Sequence, residues 1–343
     1  MKISDKILAF FDGHKRDLPW RNNPTPYKTL VSEIMLQQTR VDTVIPYFNR
    51  FMKELPTISS LAKADDELLY KLWQGLGYYN RAKNLKKAAI IIMEKHGGII
   101  PNTISELESL PGIGPYTAGA IGAIAFQINT VAIDGNVLRV FSRYFGITDD
   151  IRLESTKNVI KSRLEGIYPA NRLNDFTEAL MEIGAIVCLP NGKPLCDTCP
   201  LSNACFAYSN KMIDVIPLKS KLVHRRKELK TVLFIKKEDR VLILKRPRTG
   251  ILSNLWELPN IEGHLSKEEV LLWLSQNGLP ASRVLSGINF VHIFTHIEWN
   301  MKSYVVQIDQ IPFHMENDFI EITEIEKKYS VPTAFLPFFN QFK

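Results

Sequence analysis

From the first residues to about Asn210, apolar side chains recur at spacings of three and four, and Ser, Thr, Asp or Asn repeatedly stands just ahead of such a run. Those are the marks of capped amphipathic helices. The pattern predicts helices near 27–38, 40–53, 65–73, 79–96, 103–109, 116–127, 135–145, 155–165 and 172–186, and between them no strand longer than Asn129 to Ile133. Beyond residue 230 the period changes. TVLFIKK and RVLILKRP predict a strand pair turning at Glu238-Asp239, Ser266 to Gln276 a capped helix, and Ile288 to Phe294 and Met301 to Ile308 further strands. The residues between, KMIDVIPLKSKLVHRRKELK at 211–230, join a proline to a dense basic run and predict an exposed linker able to lie along a polyanion. The chain is therefore expected to be multi-domain, with an all-α domain over 1–210, the basic linker over 211–230 and an α+β domain over 231–343.

A length of 343 residues suits two cores of ordinary size, and 45% hydrophobic with 23% charged residues excludes disorder as the main state. The net charge of +7 is compatible with a nucleic-acid partner without requiring one. The apolar run Ile7 to Phe11 is too brief for a signal-peptide core, and Ala118 to Phe126 is far shorter than a membrane span. A soluble, cytoplasmic protein with no membrane contact is expected.

All four cysteines fall in one stretch, Cys188, Cys196, Cys199 and Cys205, spaced C-x7-C-x2-C-x5-C after an apolar helix. Four thiolates around one loop suit either tetrahedral zinc or a cubane iron–sulfur cluster, and the spacing leaves both open. Leu110-Pro111-Gly112-Ile113-Gly114-Pro115-Tyr116-Thr117-Ala118 is a turn between two helical patterns, whose glycines allow positive φ and a close backbone approach. Backbone N–H groups at the start of the second helix could grip phosphate there, at Gly112 and Gly114. Asp134, ahead of Gly135-Asn136-Val137, reads as a helix N-cap. Glu33 lies within the helical YKTLVSEIMLQQTR, where a single glutamate would ordinarily face solvent.

In this order and spacing the motifs resemble the MutY-type adenine DNA glycosylases of the helix-hairpin-helix, endonuclease III superfamily. The resemblance runs over nearly the whole chain and is strongest from Asp17 to Cys205. It implies an all-α glycosylase domain with a helix-hairpin-helix at about 105–127 and an iron–sulfur loop at 188–205 holding one [4Fe-4S] cluster. One extra residue between the first two cysteines, in LPNGKPL, departs from the family pattern. The resemblance makes Glu33, in S-E-I-M-L-Q-Q-T, the general acid and sets Asp134 beneath the deoxyribose. Tyr116 stands where the endonuclease III group carries a Schiff-base lysine; a phenol cannot form that imine, so a monofunctional enzyme follows. Similarity further implies that Tyr116 hydrogen-bonds Asp134, and that Asn136 and Glu178 support the pocket. Arg16, Trp20 and Arg21 of RDLPWR become pocket or phosphate neighbours. Gln37-Gln38-Thr39 and Leu76-Gly77-Tyr78 resemble the family's DNA wedge, with Gln38 and Tyr78 as the intruding side chains.

The second domain carries Asn254-Leu255-Trp256-Glu257-Leu258-Pro259 and Glu262-Gly263, which resemble the Nudix-like C-terminal domain of the same family. Its helix SKEEVLLWLSQNG offers only Glu268-Glu269, short of the carboxylate run that Nudix catalysis requires. His292-Ile293-Phe294-Thr295-His296 resembles the family's F-S-H loop, so that Phe294, Thr295 and His296 would recognise the lesion, with Thr295 in place of serine. The implied partner is double-stranded DNA containing 8-oxoguanine:adenine or guanine:adenine mispairs, bound by a monomer. Two other readings stay open: a bifunctional endonuclease III-like glycosylase/lyase, and a noncatalytic iron–sulfur protein that binds lesions.

Overall fold

The structure is a computed structural model that describes residues 2–220 and 225–340. Contacts divide the chain into two compact units, Met1–Lys63 with Lys83–Lys221, and Ala64–Ala82 with Leu222–Lys343.

The helices run α1 (Ile3–His14), α2 (Pro26–Leu36), α3 (Val41–Glu54), α4 (Ile58–Lys63), α5 (Asp66–Trp73), α6 (Asn80–Lys95), α7 (Ile104–Glu108), α8 (Pro115–Phe126), α9 (Gly135–Phe145), α10 (Glu154–Glu165), α11 (Leu173–Ile186) and α12 (Phe206–Ser209). Their starts are set by local chemistry. The Thr25 side chain accepts from Lys28 N with Pro26 at the first helical position, and Thr103 accepts from Glu106 N. Ile7 and Phe11 of α1, Phe141 of α9, Ile160 of α10 and Phe176, Leu180 and Ile183 of α11 are fully buried in one core. Each such side chain contributes roughly 1.5–3 kcal/mol on burial, which ties the two ends of the first unit's sequence together.

Three features of this unit differ from the pattern reading. The opening apolar run is helix α1, whose Ile7, Phe10 and Phe11 are buried. The segment 129–133 is irregular, because no described residue before 226 is in a strand to pair with it; Val131 and Ala132 instead pack on α8 at Gly119. The expected exposed linker is docked over its first part. Ile216 is buried, the Arg143 guanidinium donates to the Ile213 and Ile216 carbonyls, and Ile151 N donates to Leu218 O. The basic residues of 211–230 conceal these apolar anchors in sequence. Its residues 221–224 lie outside the described residues, and 226–230 already belong to the first strand.

In the second unit, β1 (Arg226–Lys237), β2 (Arg240–Leu242), β3 (Leu244–Lys245), β4 (Trp256–Glu257) and β5 (Asn260–Glu262) precede α13 (Lys267–Gln276). Then come β6 (Ala281–Ile293), β7 (Ile297–Ile308), β8 (Phe319–Glu321), α14 (Ile322–Lys328) and α15 (Leu336–Asn340). The sheet order is β6-β7-β1-β2-β8, with β5 also on β1 and β3-β4 forming a separate ribbon. β1 and β7 are parallel, Arg226 opposite Ile297, and the other pairs are antiparallel. Val232 and Phe234 of β1 face one core with Phe338 and Phe339 of α15, while Leu233 and Ile235 face another with Val270 and Leu274 of α13. Burial on both faces explains the unbroken apolar run VLFI. Glu269 closes a capping box on Ser266 at the start of α13, which engages one of that helix's two acids.

Residues 64–82 belong with this second unit, whereas the sequence places them inside the 1–210 domain. Polar side chains of α5 and its C-cap account for it: Glu67 bonds Lys245 and Trp256, and Gln74 bonds the Val331 carbonyl. Among the described residues no helix is long and apolar enough to cross a membrane.

Candidate active site

Glu33 is 5% exposed. Helix α2 turns it inward because Leu30, Val31, Ile34 and Met35 around it are all buried. Burial pushes its carboxyl from an ordinary 4.5 up to about 7; the nearby Glu178 and Asp134 carboxylates add to the rise, and the Tyr116 hydrogen bond and the Arg21 charge oppose it. Tyr116 donates its hydroxyl to Glu33 Oε2 at 3.2 Å. The resemblance had implied a bond to Asp134, and the structure corrects this: the Asp134 oxygens are engaged elsewhere.

Asp134 caps α9, accepting from Val137 N at 2.7 Å with one oxygen and from Asn136 Nδ2 at 2.6 Å with the other. Burial raises its pKa, while these bonds and the Arg139 charge stabilise the anion, as does the helix N-terminus. Arg139 Nη2 in turn donates to Asn136 Oδ1 at 2.9 Å and to Gly184 O at 2.8 Å, and its Nε to Cys188 O at 2.8 Å. Gly184 is buried where α11 meets α9, and a Cβ there would fall inside van der Waals contact of Asn136.

An open cleft lies beside Glu33, walled by Arg16, Trp20, Arg21, Thr29, Ser32 and Glu178 among others. Arg21 Nε holds Glu178 at 3.0 Å and its Nη2 holds Glu182 at 3.2 Å; Arg16 grips Glu182 with two side-chain nitrogens. Trp20 is buried edge-on to Phe48. Asp134, Asn136 and Tyr116 are not on this cleft's wall; Tyr116 is linked to Glu33 by its hydrogen bond and Asp134 by charge repulsion.

In the hairpin, Gly112 has φ +81, and a Cβ on it would stand 2.8 Å from Asn84 Cβ. Both facts demand glycine. Gly114 caps α8 with open space around it, leaving its backbone free to meet an anion. Gln37 Nε2 bridges to Thr117 Oγ1 at 3.1 Å and Gly112 O at 3.4 Å, so it braces the hairpin, while Gln38 is exposed with φ +57 and Thr39 Oγ1 bonds back to Gln37 O.

The four cysteines line one pocket with Arg143, Tyr144 and Tyr208. Arg143 Nη1 lies 3.2 Å from Cys188 Sγ. Burial, and then the crowding of the other cysteines, push the Cys199 thiol up to about 11.

In the second unit, Tyr78 is 49% exposed and its hydroxyl is 3.1 Å from Thr295 Oγ1. Leu76 is buried. Thr295 and His296 are exposed at the β6–β7 turn, closed by Phe294 N to Ile297 O at 2.8 Å, with the Phe294 ring edge-on to Trp299.

Residues 31–169 match the HhH-GPD superfamily base excision DNA repair proteins, and residues 231–341 match the NUDIX domain. The adenine DNA glycosylase of Buchnera aphidicola is 36% identical over 92% of this chain and 89% of its own length. That of Mus musculus is 33% identical over 89% of this chain and 70% of its own. The chain belongs to the adenine DNA glycosylases. A solved thermostable thymine-DNA glycosylase, 31% identical, superposes on 60% of this chain and 95% of its own with a TM-score of 0.55.

For this member of the adenine DNA glycosylases, sequence reasoning overlooked three site residues. Glu182 is buried with a depressed pKa, because two arginines outweigh its burial. Its signal was available, one helical turn after Glu178. Arg139 and Gly184 carried no local signal, since their partners are far off in sequence or exist only where α9 and α11 meet.

Proposed function

We propose that this chain removes adenine mispaired with 8-oxoguanine or guanine in duplex DNA, hydrolysing the N-glycosidic bond and leaving the strand uncut. One observation carries the reading: a buried glutamic acid, Glu33, that still holds its proton near neutral pH, electrostatically linked to a second acid, Asp134, whose carboxylate accepts from Val137 N and Asn136 Nδ2.

Adenine leaves poorly as an anion, so a proton delivered to N7 lowers the barrier, and Glu33 at the cleft wall is the acid with the pKa to deliver it. Departure leaves a cationic sugar. Asp134, fixed by Asn136 and Val137 N, supplies the negative charge that stabilises it or adds to it. Tyr116 has no amine to attack the sugar, which supports hydrolysis without strand cleavage. The exposed backbone at Gly114 offers a sequence-independent phosphate grip, and the mispaired adenine must be turned out of the duplex before it can enter the cleft.

Cys188, Cys196, Cys199 and Cys205 line one pocket, and four thiolates suit the [4Fe-4S] cluster that the family resemblance implies. Cys188, Cys196, Cys199 and Cys205 would ligate the cluster, which would supply a rigid tie for the loop. Thr295, with Phe294 and His296, would read the lesion: 8-oxoguanine offers an N7–H donor where guanine offers an acceptor, and a hydroxyl oxygen can accept from the former.

Incubation with a duplex bearing one adenine opposite 8-oxoguanine tests the proposal. Free adenine should appear while the strand stays whole until alkali is added. Nicking without alkali would favour a bifunctional lyase, and binding without adenine release a lesion-sensing protein.

A further inference from the structure

Helix α5 presents Glu67 and Lys71 one turn apart on one face, and Gln74 follows as its C-cap residue. All three bond the C-terminal part of the same unit. Glu67 Oε1 accepts from Lys245 Nζ at 2.6 Å and from Trp256 Nε1 at 3.2 Å. Lys71 Nζ donates to the carbonyls of Glu326 and Tyr329, and Gln74 Nε2 to Val331 O at 2.9 Å. Trp256 is itself fixed, its ring edge-on to Tyr329 and beneath the Lys245 ammonium.

The chain leaves α5 through a turn in which Gly75, Gly77 and Tyr78 all have positive φ, +100, +76 and +50. Tyrosine is strained in that region, so the turn must be held from outside. Trp73 Nε1 bonds Gly77 O, Arg81 Nη2 bonds Leu76 O and Gly77 O, and the Arg81 guanidinium lies over the Tyr78 ring. The outcome is a Tyr78 hydroxyl placed against the Thr295 hydroxyl. Either hydroxyl can donate in this contact; with Thr295 donating to the phenol, its oxygen keeps only lone pairs for a third partner. Such an oxygen suits an N–H donor and repels an acceptor.

We propose that Glu67 is a specificity-determining positioning residue: by fastening α5 to Trp256 and Lys245 it holds Tyr78 against Thr295, and so sets the preference for 8-oxoguanine over guanine opposite adenine. The inference rests on the reading of the Thr295 turn as the lesion reader.

The test measures single-turnover adenine release from 8-oxoguanine:adenine and guanine:adenine duplexes. The proteins compared are wild type, Glu67→Ala, Glu67→Gln, Tyr78→Phe and the Glu67→Ala/Tyr78→Phe double variant. Glu67→Ala should lower the ratio of the two rates several-fold, through the 8-oxoguanine duplex, with the guanine:adenine rate within about twofold of wild type. Glu67→Gln, which keeps an acceptor for Trp256 Nε1, should lose less. The double variant should lose no more than Tyr78→Phe alone, since both act through one contact. Hydrogen exchange at residues 75–82 of the free protein should speed up in Glu67→Ala. A wild-type preference left intact in Glu67→Ala overturns the inference, as do two rates that fall together, losses that multiply in the double variant, or unchanged exchange. A wild type with no preference between the duplexes would instead refute the lesion-reader assignment, and the inference with it.

Discussion

Tyr116 and Glu33 are joined by a hydrogen bond of 3.2 Å, with the phenol as donor. The bond favours the ionised form of the acid, so it works against the burial that keeps Glu33 protonated. Tyr116 therefore trims the acidity of Glu33. Tyr116→Phe should raise the Glu33 pKa and carry the high-pH limb of the adenine-release profile upward by about one unit. A limb that stays in place would show that the bond does not act on the reacting acid.

The Glu33 carboxyl, shifted from 4.5 to about 7, gives rate and stability the same sign with pH. A proton donor works below its pKa, so single-turnover cleavage should be full in mild acid and fall as pH rises through about 7. Folding follows, because the native state holds this proton more tightly than the unfolded chain. Stability from this group is greatest below 4.5 and is lost as pH rises from there through about 7. Glu33→Gln removes that loss. Its urea midpoint should exceed the wild-type value above neutral pH, by an amount worth up to about 3 kcal/mol, and by less as pH falls. Equal midpoints at high pH would place Glu33 in a more solvated setting.

The motif-borne residues were legible because their chemistry is written locally. Asp134 ahead of Gly135-Asn136-Val137 announces an N-cap and is one, and Gly112 announces a positive φ and has one. What stayed hidden depends on tertiary partners. Nothing near Tyr116 in sequence tells whether its hydroxyl turns to Glu33 or Asp134, and nothing near Leu76 tells that it is buried while Tyr78 is exposed. Helix α1 is absent from the predicted helices because the partner that buries its apolar face, α11, lies at the far end of the first unit's sequence. The assignment of 64–82 to the second unit rests on Glu67, Lys71 and Gln74, polar residues that read as ordinary helix surface.

Gly184 leaves no room for a side chain against Asn136, which holds Asp134. Gly184→Ala should push α9 and α11 apart by about 1 Å and misplace the Asp134 carboxylate. The expected loss is about a hundredfold in kcat with KM for the duplex little changed. A kcat near the wild-type value would mean that the helices absorb the methyl without moving Asn136.

Thr295→Val keeps the side-chain shape at the β6–β7 turn and deletes the hydroxyl. The preference for 8-oxoguanine:adenine over guanine:adenine duplexes should fall about tenfold, as expected when one discriminating hydrogen bond is removed. Parallel single-turnover rates on the two duplexes measure it, and an unchanged ratio would remove Thr295 from lesion reading.

Adenine release from an 8-oxoguanine:adenine duplex under single turnover, followed in wild type, Glu33→Gln and Asp134→Asn, reaches the central claim most directly. The two-acid account predicts rapid release by wild type and a loss of at least about a thousandfold in each variant, with duplex affinity retained. Release near the wild-type rate in either variant, or none from a folded wild type, would contradict it.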